Sequence, residues 1–174
     1  GEMLIMESKG SMQHLEFDIP SRGLIGLRSQ MLTQTAGEAI MAHRFNEYKP
    51  WKGPIPGRSN GVLVAKTGGL TTAYSIDKLQ DRGRFFVEPG EEVYAGQILA
   101  EHIKPGDLNI NAVEMKKLTN HRASGSDDSV RITPKLLFTL EECMEYIQQD
   151  ECIEVTPQTI RLRKIMLDEN DRAK

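Results

Sequence analysis

The sequence predicts an α+β chain in two parts: a β-β-α-β unit over residues 1–50, and a mainly β, barrel-like unit over residues 61–174 with one amphipathic helix. Three observations carry that reading. Pro50 to Gly61 holds three prolines and three glycines, which neither a helix nor a central strand sustains, so residues 51–60 read as a linker. Apolar alternation with a period of two recurs on both sides of it. One capped, apolar-striped helical segment lies near the C-terminal end.

Met3 to Ser8 is a short apolar run, and Lys9-Gly10 supplies a turn. Leu15, Phe17 and Ile19 then alternate with His14, Glu16 and Asp18, as in a half-buried strand. Pro20-Ser21-Arg22-Gly23 breaks that strand. A helix follows with Leu24, Leu27, Met31 and Leu32 on one face and Gly37 as its stop, and Glu38 to Tyr48 reads as a last strand. Beyond the linker, Gly61 to Lys66, Arg84 to Glu88 and Gln97 to Ile103 read as strands, with a helical turn between Ser75 and Arg82. The glycine-bracketed run Pro89 to Gln97 has the turn chemistry of a compact barrel. Residues 104–135 have weak periodicity and many polar residues, and loops that long are usually functional or disordered. Thr139 and Glu142 fit a capping box, with Leu140, Cys143, Met144 and Ile147 as the apolar stripe behind it. Cys152 to Thr156 and Thr159 to Ile165 close the chain as strands.

Composition excludes several classes. The 174 residues are 39% hydrophobic and 27% charged, with no apolar run long enough to span a membrane and no signal-peptide pattern. Two cysteines, Cys143 and Cys152, make no disulfide framework. The expectation is a soluble, cytoplasmic chain. It opens Gly1-Glu2-Met3, as a piece of a longer protein would. A net charge of −3 speaks against bulk nucleic-acid binding but leaves a local basic patch open.

No catalytic or metal-binding set emerges. Gly61 to Thr67 resembles a phosphate loop but has Ala65 where the residue before the lysine must be glycine. His14, His43, His102 and His121 lack metal-ligand spacing, and Ser124, Ser126 and Ser129 lack a nucleophile elbow. The Pro89 to Gln97 hairpin carries no modifiable lysine at its tip.

Charge is distributed unevenly. Thr139 to Glu154 holds six acidic residues and no basic one. Met115 to Ser126 holds Lys116, Lys117 and Arg122, no acid, and the small hydrogen-bonding residues Asn120, His121, Ser124 and Ser126. Arg161, Arg163 and Lys164 form a second basic cluster, with the two arginines on the strand face opposite Ile160 and Leu162. Such groups contact phosphates and 2′-hydroxyls. By composition alone, though, a run like this is more often a solvated loop.

Phe17-Asp-Ile-Pro-Ser-Arg-Gly-Leu-Ile-Gly-Leu-Arg28 resembles the last conventional domain of the BipA/TypA translational GTPases, the counterpart of elongation factor G domain V. Gly61-Val-Leu-Val-Ala65, Pro89 to Gln97, Lys116-Lys-Leu-Thr-Asn120 and Thr156 to Lys164 resemble the C-terminal domain peculiar to that family. The resemblance implies a ferredoxin-like β-α-β-β-α-β domain of which residues 1–50 are the second half, without its central first strand. It implies a ribosome-associated GTPase linked to stress adaptation and large-subunit assembly. The nucleotide domain would lie N-terminal to these residues, so the chain itself is expected to be no enzyme and to hold no cofactor, with GTP and magnesium belonging to the parent protein. It also implies that a loop matching residues 116–129 contacts the A-site transfer RNA, Asn120 to Gly125 fitting the family's Asn-x-Arg-Ala-Ser-Gly. Expected partners are the ribosome with its A-site transfer RNA and ribosomal RNA, the parent GTPase domains, and a second copy through residues 1–50. No membrane is expected. The alternative is a protein-interaction module that docks on ribosomal proteins or the parent GTPase through the acidic stretch.

Overall fold

The computed structural model describes residues 1–54, 57–115 and 131–172. It divides into two compact units, Gly1–Pro56 and Gly57–Lys174.

In the first unit, strands β1 (Glu2–Lys9) and β2 (Met12–Asp18) form an antiparallel hairpin with Met6 opposite Leu15 and Lys9 opposite Met12. A 3₁₀ turn (Ser21–Leu24) leads into helix α1 (Leu27–Gln34). The helix stops at the predicted place. Gly37 donates to the Leu32 carbonyl at 2.7 Å and Ala36 to Thr33 at 3.4 Å, the Schellman pattern, with Ala36 at φ 52° and Gly37 at φ 89°. The predicted strand Glu38 to Tyr48 does not form. β1 and β2 pair only with each other, the segment joins neither of their outer edges, and Ile40 and Tyr48 stand 88% and 94% exposed. The β-β-α-β half-domain is therefore reduced, among the described residues, to a hairpin and a helix. Side chains hold the next segment to this unit: Lys49 pairs with Asp18, Lys52 meets Glu2 at 2.8 Å, and the Arg22 guanidinium donates to Gly53 and stacks 3.3 Å from the Trp51 ring centre.

In the second unit the elements are β3 (Val62–Ala65), β4 (Gly69–Leu70), α2 (Ala73–Leu79), β5 (Gly83–Phe85), β6 (Glu92–Val93), β7 (Gln97–His102), β8 (Leu108–Ile110), α3 (Leu140–Tyr146), β9 (Glu151–Val155), β10 (Ile160–Lys164) and a short α4 (Glu169–Arg172). β7 is the hub. It pairs antiparallel with β3 along one edge and with β5 and β10 end to end along the other. β8 adds to β3 in parallel and β9 to β10, giving the order β8-β3-β7-β10-β9.

That sheet is open, which corrects the barrel-like expectation. Alternate residues of β3 enter two separate cores. Leu63 and Ala65 pack with Ile76 of α2, Phe85 and Leu99 on one face. Val62 and Val64 pack with Ile98, Cys143 of α3 and Leu162 on the other. Apolar side chains on both faces, each covered by a helix, leave no bare face for closure to hide. The turn chemistry at Pro89 to Gln97 instead serves β6, which pairs with β4 in a separate two-stranded ladder. Gly61 has to be glycine, because a Cβ there would lie 1.9 Å from the Gly106 carbonyl oxygen. The capping box at Thr139 and Glu142 is present, but the stripe behind it is Cys143, Tyr146 and Ile147, while Leu140 and Met144 face solvent.

Candidate nucleic-acid interface

Lys116, Lys117, Asn120, His121, Arg122, Ser124 and Ser126 lie outside the described residues. On either side of residues 116–130 the chain meets the same helix. Thr72 caps α2 by accepting from the Ser75 amide at 3.1 Å. Its hydroxyl donates to the Glu114 carbonyl at 2.5 Å, and the Ser75 hydroxyl donates to the same oxygen at 2.8 Å. At the other end of α2 the Gln80 side chain donates to the Arg131 carbonyl at 3.0 Å and accepts from the Thr133 amide at 3.1 Å. Thr72 and Gln80 are about 12 Å apart along a helix axis, so residue 114 leaves and residue 131 returns within that span. Further along, Lys135 pairs with Glu91 and, at 3.3 Å, with Glu88, and the Leu136 amide donates to Phe85 at 2.7 Å. Sequence reasoning missed Thr72, Ser75 and Gln80, since nothing local marks a hydroxyl or amide that bonds a carbonyl some forty or fifty residues away.

The second basic cluster splits. Arg161 and Arg163 alternate with the buried Leu162 on β10, opposite Glu154 and Cys152 of β9 and, for Arg163, opposite Gln97 of β7. They lie on the side of the sheet that α2 covers, away from α3. Each side chain is about one-third exposed, at 34% and 32%. Lys164 faces the other way and is 1% exposed. Its ammonium meets Asp107 at 2.5 Å, Asp150 at 2.7 Å and Glu151 at 2.9 Å. Burial opposes the charged form, but the three carboxylates outweigh it and hold the lysine above its ordinary value. Lys164 is thus an internal countercharge, which removes it from the surface cluster. Period two already contained this, because residue 164 shares the face of Leu162.

Glu151, whose side chain is 0% exposed, is also held by a two-pronged pair with Arg58, one prong at 2.9 Å. Arg58 in turn lies 4.3 Å from the Tyr146 ring centre. So Arg58, read from sequence as linker, belongs to the second unit's framework. The acidic stretch is largely engaged in the same way: Glu142 caps α3, Asp150 and Glu151 bind Lys164, and Glu154 accepts from the Tyr94 hydroxyl at 2.6 Å. Among the described residues no cluster of three or more His, Cys, Asp and Glu could hold a metal ion, and no helix is long and apolar enough to cross a membrane. Gly61 to Thr67, the phosphate-loop lookalike, enters buried strand β3.

Residues 60–169 match the TypA/BipA C-terminal domain, and residues 1–58 match the elongation factor G C-terminus. Proteins named large ribosomal subunit assembly factor BipA are 45% identical over all of this chain in Bacillus subtilis, 44% over 97% of it in Haemophilus influenzae, and 45% over 95% of it in Escherichia coli K12. The chain spans 29%, 27% and 27% of those relatives. It belongs to the TypA/BipA family and corresponds to the family's C-terminal region.

Proposed function

We propose that this chain is the ribosome-binding, RNA-contacting end of a cytoplasmic translational GTPase that acts in large-subunit assembly and stress adaptation. In this reading the 116–129 segment contacts the A-site transfer RNA, and Arg161 and Arg163 add phosphate contacts. The chain contributes binding while the parent's nucleotide domain contributes GTP hydrolysis. The observation that carries the proposal is where the chain flanking the first basic feature lies. Glu114 and Arg131, which bracket residues 116–130, are both bonded to α2, on the side of the sheet where Arg161 and Arg163 emerge. The names of the relatives support the ribosome as the target.

Docking on a protein through the acidic stretch is the weaker reading, because Glu142, Asp150, Glu151 and Glu154 are occupied internally. Ribosome co-sedimentation at graded salt tests the proposal. Replacing Lys116, Lys117 and Arg122 with alanine should weaken binding and lower the log–log salt slope by roughly 0.7 to 0.9 per lost phosphate contact. Unchanged affinity and slope at low salt would refute it. Binding to protein-containing particles with none to naked RNA would instead establish the docking reading.

A further inference from the structure

We infer that Tyr94 and Glu154 set how available Arg161 and Arg163 are to an RNA phosphate: Glu154 competes for the two guanidinium groups, and the Tyr94 hydroxyl holds that competitor off them. This rests on the RNA-contact reading above and assigns it a control element.

The geometry at Glu154 is uneven. Its Oε2 accepts a hydrogen bond from the Tyr94 hydroxyl at 2.6 Å. The guanidinium groups come no nearer than 3.7 Å for Arg161 Nη1 and 3.9 Å for Arg163 Nε. Those distances permit attraction, but they lie outside the 2.7–3.2 Å range of an N–H···O hydrogen bond. A carboxylate between two arginines ordinarily takes a forked contact from one of them. Here its short bond goes to a neutral hydroxyl. Burial raises the Tyr94 pKa and the Glu154 carboxylate raises it further, so the phenol stays protonated and donates.

The donors left over are what a phosphate needs. Among the described residues, Arg163 spends Nη1 on the Lys164 carbonyl at 3.1 Å, and no hydrogen bond from the Arg161 guanidinium is formed. Two forks on one strand face, two residues apart and each about one-third exposed, carry two positive charges against the single charge of Glu154. An incoming phosphodiester supplies the second negative charge and has oxygens that accept bidentate guanidinium bonds. The contact therefore needs no rearrangement of the core, only that Glu154 stay where Tyr94 holds it. Loss of the hydroxyl frees the carboxylate to close on the arginines, and loss of the carboxylate's charge removes the competitor.

The test is the binding of bulk transfer RNA to the full chain, followed at graded salt, with thermal melting to confirm that each variant folds. Arg161→Ala with Arg163→Ala should weaken binding and reduce the salt slope by roughly 1.5, the value for two phosphate contacts. Glu154→Gln should tighten binding about threefold, and Tyr94→Phe should weaken it about twofold with no change in formal charge, both within the range of exposed ion pairs. Glu141→Gln, the same charge change on α3 across the sheet, should leave affinity as it was. Opposite signs for Glu154→Gln and Tyr94→Phe support the inference. If the double alanine weakens binding but Glu154→Gln and Tyr94→Phe match the wild type, or if Glu141→Gln tightens binding as much as Glu154→Gln, the inference is overturned and the RNA-contact reading stands. If neither transfer RNA nor ribosomes bind the wild type, the reading falls and the inference falls with it.

Discussion

The two units use similar proportions of apolar residues to opposite effect. Residues 57–172 bury two cores on the faces of one sheet, with Val62, Leu63, Val64, Leu99 and Ala100 all 0% exposed. None of residues 1–54 is buried, although Met3, Leu4, Ile5, Met6, Leu15 and Phe17 line its hairpin, and Met3 and Met6 remain 57% and 63% exposed. The difference lies in how many layers are available. In the second unit each face of the sheet meets a helix, so the period-two pattern finds somewhere to bury its side chains. A hairpin alone has too few neighbours, and two strands without a packed face are marginal in water. Apolar patterning states an intention to bury; a third element is required to fulfil it.

The largest expected effect follows directly. A chain beginning at Gly57 should fold alone, with one cooperative melting transition and strong amide-exchange protection in β3 and β7. Residues 1–56 alone should show little protection unless strand pairing with a second copy covers the hairpin, a route open to any unpaired edge. Sedimentation and exchange on the two pieces decide it. Strong protection in a monomeric 1–56 piece would break the comparison.

Next in size is the countercharge inside the second unit. Lys164→Ala leaves Asp107, Asp150 and Glu151 without their shared ammonium. Because Asp107 and Asp150 are 38% and 61% exposed and Glu151 keeps Arg58, the cost should lie between that of an exposed pair and the roughly 3 to 5 kcal/mol of breaking a wholly buried one. Denaturant unfolding of the Gly57–Lys174 piece measures it. A loss below about 1 kcal/mol, the figure for an exposed pair, would show that the network is solvated.

Much of this was legible beforehand. The buried strands β3 and β7, the Gly37 stop and the Thr139 capping box follow from apolar runs and cap chemistry within a few residues of each other. What the sequence hid was non-local. The three-residue β8 and the two-residue β4 and β6 are strands only because a partner lies beside them, and no pattern of that length has a period. Glu38 to Tyr48 shows the converse, a plausible strand that pairs with neither edge of the hairpin. α3 rolls its buried face toward Tyr146, whose ring packs on Phe86 and Phe138 at 5.5 and 5.2 Å, a choice made by those two aromatics and invisible within the helix. At the candidate interface, the basic residues could be read from composition. Their supports Thr72, Ser75, Gln80 and Tyr94 could not, because each acts on a distant atom.

The smallest effect concerns pH, and here the units should differ both in direction and in salt sensitivity. In the first unit, the hydrogen bond from the Lys49 ammonium holds the Asp18 carboxyl below its ordinary value, and Lys52 does the same for Glu2. A carboxyl whose pKa is lowered on folding contributes stability above its unfolded pKa and loses it as pH falls through the folded one. The attachment of residues 49–52 to the hairpin should therefore loosen in acid. Lys49 is raised by Asp18, then Glu47, so the same attachment also weakens in strong alkali. In the second unit Lys164 is raised despite its burial, and Lys135 is raised by Glu91 and then Glu88. A raised base gives its full contribution below its unfolded pKa and loses it as pH climbs through the folded value, so the contribution of these two lysines should hold through neutrality and be lost in alkali. Added salt screens exposed charges within about a Debye length and buried ones far less. High salt should then erase the acid response of residues 1–54 while leaving the alkaline response of the Lys164 network in place. Amide exchange across a pH series at two salt concentrations separates them. An alkaline response in β9 and β10 that vanishes with salt would place the Lys164 network in solvent and remove the contrast between the two units.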